Sequence, residues 1–193
     1  MSTAKNYVWY AGYGSNLSRQ RFLCYIQGGT PTYGKTPNHG CFDITEPPLE
    51  RQYIINYELY FAIPDNGVGT ERWGPGGVAF IDPKRNKKAS TICRIWKITE
   101  EQYEDVCGQE GKLWYNKRVK LGKIGVLPVW TITNNTRLNN VLGPSNNYLK
   151  TLILGLRETN KMQDNEIANY LVSKAGVAEK YSLKKIIQIA KIT

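Results

Sequence analysis

Two periodicities divide the chain. "YVWYAGY" (7–13) is dense in aromatic and β-branched residues, the make-up of a buried strand. "YIINYELYFAI" (53–63), "GVAFID" (77–82), "STICRIWKI" (90–98) and "IGVLPVWTIT" (124–133) continue the pattern, so five strands are predicted. Pro128 cannot donate to a ladder, which predicts an edge or bulged position for the last of them. Helical spacing takes over elsewhere. "NLSRQRFLCYI" (16–26) opens on Asn16 as its expected cap and gathers Leu17, Phe22 and Ile26 on one apolar side. "TEEQYEDVC" (99–107) sets Thr99 and Gln102 at capping-box spacing, and "SNNYLKTLILGLRET" (145–159) starts at Ser145 and repeats Leu149, Leu152, Ile153 and Leu156. "DNEIANYLVSKAG" (164–176) and "SLKKIIQIAK" (182–191) add two C-terminal helices. The fold class is mixed α/β (α+β), with a strand-rich middle and a helical end.

No repeat or linker divides the 193 residues, so 1–193 is read as a single domain. Thr30 to Gln52 follows neither period; such a segment is either a substrate-facing loop or a plain insertion. No run reaches the roughly 18–20 apolar residues of a membrane span, and the first residues show no secretory leader pattern.

Four cysteines (Cys24, Cys41, Cys93, Cys107) form no C-x-x-C pair, and with one histidine, His39, they match no zinc spacing. They are read as reduced thiols of a cytoplasmic protein, with no metal site. A net charge of +10 raises the question of nucleic acid. Lys and Arg are scattered, however, and "PKRNKK" (83–88) lies between two strand-like runs as an expected hairpin loop. A nucleic-acid partner is therefore not expected.

Two stretches carry candidate chemistry. In "WYAGYGSNLS" (9–18), Gly12 and Gly14 permit close backbone approach where a strand hands over to a helix. The N–H groups there either receive an anion or simply belong to an ordinary capped turn. In "CGQEGKLWY" (107–115), Glu110 stands between Gly108 and Gly111 with Trp114 and Tyr115 close behind. It is either a partly desolvated proton carrier or a solvated helix-end carboxylate. "GxGxxG" and P-loop patterns are absent, which argues against nucleotide binding.

These stretches resemble the γ-glutamylcyclotransferase-like family. "YGSNL" (13–17) is similar to its substrate loop and "GQEG" (108–111) to its catalytic glutamate segment. "WGPGGVAFI" (73–81) and "CRIWKIT" (93–99) are similar to its two central strands, and "GPSNNYLK" (143–150) to its late Pro-Ser-x-x-Tyr motif. The matches run in order over about 7–160, leaving 161–193 as a helical extension.

The resemblance implies a small closed β-barrel of five to six strands with surrounding helices. It also implies a cofactor-free reaction in which a γ-glutamyl substrate's α-amine attacks its own γ-carbonyl. That step releases 5-oxoproline and an amine or amino acid. Carried over, Glu110 is the general acid/base. Tyr13, Gly14, Ser15, Asn16 and Leu17 form the substrate cradle, and Tyr115 and Tyr148 bind the substrate's polar end. The alternative is a non-catalytic protein that binds a small acid in the same pocket. This chain departs from the family in carrying Gly12 where relatives usually show alanine, in a short interval from Glu110 to Tyr115, and in the length of Thr30 to Gln52.

Overall fold

A computed structural model describes residues 5–63 and 72–193. Strands β1 (Tyr7–Gly12), β2 (Leu49–Ile55), β5 (Thr91–Thr99), β6 (Lys117–Ile124) and β7 (Leu127–Thr133) form one sheet in the order β2-β5-β1-β7-β6. β1 runs antiparallel to β5 and parallel to β7. A separate hairpin joins β3 (Leu59–Ala62) to β4 (Val78–Ile81). Among the described residues there are also five α-helices: α1 (Arg19–Gln27), α2 (Glu100–Gln109), α3 (Asn146–Asn160), α4 (Asp164–Val172) and α5 (Leu183–Lys191).

The inner strands β1 and β5 are buried on both faces, and the alternation of their side chains says against what. Val8 and Tyr10 of β1, with Trp96 and Ile98 of β5, pack on Phe22 of α1 and on Tyr103 and Val106 of α2. Trp9, Ala11 and Ile95 point the other way, into a core shared with β3, β4 and α3–α5. The two C-terminal helices belong to that same core through Ile167, Leu171, Ile186 and Ile189, so 161–193 is packed in rather than appended. Among the described residues no helix is long and apolar enough to cross a membrane.

The expected closed barrel is not formed by the ladders of the described residues, which make two separate sheets. The reason lies at the free edge of β4, where hydroxyls take the place of a strand. Tyr115 donates to Ala79 O (2.9 Å), Thr133 donates to Ile81 O (2.6 Å), and the Tyr148 hydroxyl accepts from Ala79 N–H (3.2 Å). The edge is thus satisfied without a ladder, as a buried edge must be.

The run 53–63 is two strands, because the chain turns at Asn56–Tyr57 and β3 pairs with β4 instead of β5. "PKRNKK" is no hairpin loop, since β4 and β5 lie in different sheets. Strand β6 was hidden by its lysines, and it supplies the sheet edge. Pro128 therefore lies on the inner strand β7, near its β6 turn and outside the β1 pairing, while the bulge falls at Leu121 of β6. Of the two strands matched as central, β5 is central and β4 belongs to the hairpin.

Candidate functional site

The junction from β1 to α1 is not a single capped helix. Ser15–Leu17 form one 3-10 turn, and α1 starts after Ser18. Asn16, expected as a cap, turns its side chain inward instead. Its Nδ2 donates to Glu110 Oε1 at 2.6 Å and to the Tyr10 hydroxyl at 3.0 Å. Its backbone carbonyl accepts from Trp96 Nε1 at 3.0 Å, so the turn is pinned to the sheet. Gly12 is required for this, because a Cβ there would lie 2.6 Å from Asn16 Cβ.

The Thr99–Gln102 capping box opens α2 and fixes the direction in which it delivers Glu110, its C-cap residue. Gly111, with φ +86°, turns the chain away immediately after. The next turn brings back Tyr115, whose ring stacks on Phe80 (4.9 Å between centroids). From the opposite side α3, capped by Ser145, brings in Tyr148. Its hydroxyl accepts from the N–H groups of both Ser15 (3.3 Å) and Ala79 (3.2 Å). Those bonds leave the phenol's own proton unspent.

Around these groups lies a cavity of about 330 Å³, with Ser15, Glu110, Tyr115 and Tyr148 in its wall. A smaller recess of about 20 Å³ shares those four residues and adds Tyr13, Gly14 and Asn16. Seven of the eight residues expected from sequence therefore meet around one space. Leu17 does not line it. Its side chain packs against Gly155 of α3, and it anchors the turn rather than facing a ligand.

Other wall residues were not anticipated. Arg21, Tyr25, Thr36, Arg72, Trp73 and Gln109 line the outer cavity. Arg21 is 1% exposed despite its charge. The available signal was its i, i+4 spacing to Tyr25, on the stripe that also carries Phe22. Thr36 and Asn38 show that part of Thr30 to Gln52 contributes to the site: Asn38 Nδ2 donates to Gln109 Oε1 (3.2 Å), directly before Glu110. His39 is exposed on the same loop and lines no part of the cavity.

Burial dominates the electrostatics of the tyrosines. It pushes the phenols of Tyr10, Tyr13, Tyr115 and Tyr148 above the ordinary value of 10.0, and the Glu110 charge adds to each. These phenols stay protonated in the folded protein at a pH where those of the unfolded chain ionise. Their contribution to stability is complete below about pH 10 and falls as pH rises further. Alkaline unfolding is expected above pH 10, with tyrosinate absorbance appearing together with loss of circular dichroism. Tyrosinate appearing in a protein that keeps its folded spectrum would contradict this.

Tyr148→Phe is expected to lower stability by about 1–3 kcal/mol, because two N–H groups would lose a buried acceptor. A thermal melt checks this. An unchanged melting temperature would mean that water replaces the hydroxyl.

No family model matches the chain. A solved structure titled gamma-glutamyl cyclotransferase superposes with a TM-score of 0.61, covering 97% of this chain and 100% of that one at 15% identity. The fold is that of the γ-glutamyl cyclotransferases. The structure of an uncharacterized Homo sapiens protein also superposes, with a TM-score of 0.59 over 95% of this chain and 99% of its own, at 16% identity. In sequence, the chain is 31% identical over 206 aligned positions to a protein named histone deacetylase 5 from Arabidopsis thaliana. That match takes in 87% of this chain but spans only 31% of the relative's length.

Proposed function

We propose that the protein is an enzyme of the γ-glutamyl cyclotransferase type, releasing 5-oxoproline from a γ-glutamyl amine or amino acid. One observation carries this reading: the Glu110 carboxylate is held 2.6 Å from Asn16 of the "YGSN" turn, at the wall of a cavity that can take a ligand. Catalytic carboxylates need such fixed orientation.

In the proposed reaction the glutamyl end enters beside the recess, with its α-carboxylate against the turn at 14–17. Glu110 accepts a proton from the α-ammonium, and the freed amine attacks the γ-carbonyl carbon. The new C–N bond closes a five-membered ring, and negative charge develops on the former carbonyl oxygen. The unspent hydroxyl proton of Tyr148 is the donor proposed for that oxygen. Glu110 then returns its proton to the departing nitrogen as the old C–N bond breaks. The carboxylate so regenerated takes the second proton from the ring nitrogen and passes it to the released amine, so one carboxyl group serves every transfer and the ring leaves as a neutral lactam. Nucleophile and electrophile arrive in one molecule, and orientation alone is worth up to about 7–11 kcal/mol in such reactions. The free thiols of all four cysteines support a cytoplasmic setting.

The test is incubation of the purified protein with a panel of γ-glutamyl dipeptides and γ-glutamyl amines, with mass-spectrometric detection of 5-oxoproline. Release from at least one member above the spontaneous rate is expected. Binding of panel members without release would favour the non-catalytic alternative.

A further inference from the structure

The outer cavity holds a cation that makes no salt bridge among the described residues. Arg21 is fully buried, and among the described residues no carboxylate lies in salt-bridge range of it. Among the described residues its guanidinium makes one hydrogen bond, from Nη1 to Asn38 Oδ1 (3.0 Å), and its buried Nε has no partner. The guanidinium carbon lies over aromatic rings, 3.9 Å from the centroid of Tyr25 and 5.5 Å from that of Trp73. Arg94 shows what a structural arginine looks like in this fold, since it is nearly as buried but paired with both Glu50 and Glu158. A buried charge left unpaired costs stability, so its retention at a cavity wall calls for a ligand. A second cation, Arg72, lines the same wall and is steadied by a bond from Nε to Thr36 Oγ1 (3.1 Å).

Position decides which part of a substrate these cations meet. Both arginines line the outer cavity, and neither lines the inner recess formed by the "YGSN" turn. We infer that Arg21, assisted by Arg72, binds a carboxylate on the leaving-group side of the substrate. The preferred substrate is then a γ-glutamyl conjugate of an amino acid or short peptide rather than of a neutral amine. The planar fork of an arginine suits a carboxylate, which it engages through two parallel bonds. The assignment rests on the cyclotransferase reading for which end reacts, but its test does not depend on turnover.

N-propionyl-alanine and its neutral N-methylamide reproduce the leaving side of such a substrate and cannot cyclise. Their binding is followed by quenching of tryptophan fluorescence, to which Trp73 contributes, and by thermal shift. Wild-type protein is expected to bind the acid about 10- to 100-fold more tightly than the amide, the range for a bond to a charged group. Arg21→Met is expected to abolish the preference and Arg72→Gln to reduce it. If Arg21→Met does not fold, the reduction in Arg72→Gln, at a half-exposed position, must appear by itself.

A third probe, 5-oxoproline, separates the two carboxylates a substrate can carry, because its binding is expected to be unaltered in Arg21→Met. Equal binding of acid and amide, no binding of the acid up to its solubility, or an unchanged preference in the folded variants would overturn the inference. So would loss of 5-oxoproline binding in Arg21→Met, which would place the glutamyl carboxylate on the arginine instead.

Discussion

Glu110→Gln is expected to leave a folded protein that still binds γ-glutamyl dipeptides but releases 5-oxoproline about 10²- to 10⁴-fold more slowly, the contribution of a positioned acid–base group. The fold should survive for local reasons. Residue 110 caps α2 with φ −72° and ψ −15°, a conformation open to any side chain. A glutamine oxygen can also go on accepting the bond that Asn16 donates, so the contact between turn and helix end persists. What disappears is the ability to take a proton from the α-ammonium and to return one to the leaving nitrogen. The loss should therefore fall on kcat with KM nearly unchanged, the signature of a group needed for the chemical step. Unaltered kcat would remove Glu110 from the reaction, whereas a collapsed melting temperature would make it a structural residue.

Gly155→Ala is expected to damage stability and turnover together. In a helix interior alanine is favoured over glycine by about 1 kcal/mol, so propensity alone would make the change beneficial. Packing reverses the sign. A Cβ at 155 would stand 2.4 Å from Leu17 Cβ and 2.6 Å from Leu17 C and Ser18 N, and backbone atoms do not yield like the end of a flexible side chain. Overpacking of this kind costs about 1–3 kcal/mol, enough to offset the propensity gain and leave a net loss.

Relief requires α3 or the turn at 15–18 to move, and either shift pulls Asn16 from Glu110. Turnover should drop by up to about 100-fold, the effect of misplacing reacting groups by roughly 1 Å. Gly108→Ala is the control, since this glycine of α2 has nothing within 4 Å of a built Cβ and should be neutral or mildly stabilising. Thermal melts and 5-oxoproline release on both variants check the pair. Equal behaviour of the two would mean that the contact between Leu17 and Gly155 does not hold the turn.

What was legible in the sequence was mostly local. The Thr99 and Ser145 caps formed as expected because each is closed within four residues, and the helices they start carry Glu110 and Tyr148. Long-range pairing was not legible. Nothing within 77–98 states that β4 turns to β3 while β5 joins β1 and β2. β6 went unnoticed because an edge strand with a solvated face can be written in lysines.

Asn16 was recognised as important for the wrong local reason. A helix cap and a carboxylate clamp use the same residue type, and only tertiary structure decides between them. Arg21 was missed because its partner is distant in sequence: the loop through Asn38 supplies the acceptor for its guanidinium, and nothing local announces that contact. The residues nearest the "YGSN" turn were thus identifiable from sequence, and those of the outer cavity were not.

A crystal structure of Glu110→Gln protein with an intact γ-glutamyl dipeptide tests the central claim most directly. The substrate's α-nitrogen is expected within hydrogen-bond reach of the residue 110 side chain, its α-carboxylate against the turn at 14–17, and its γ-carbonyl oxygen facing Tyr148. A dipeptide bound with the glutamyl nitrogen turned away from residue 110, or seated outside the cavity, would contradict it.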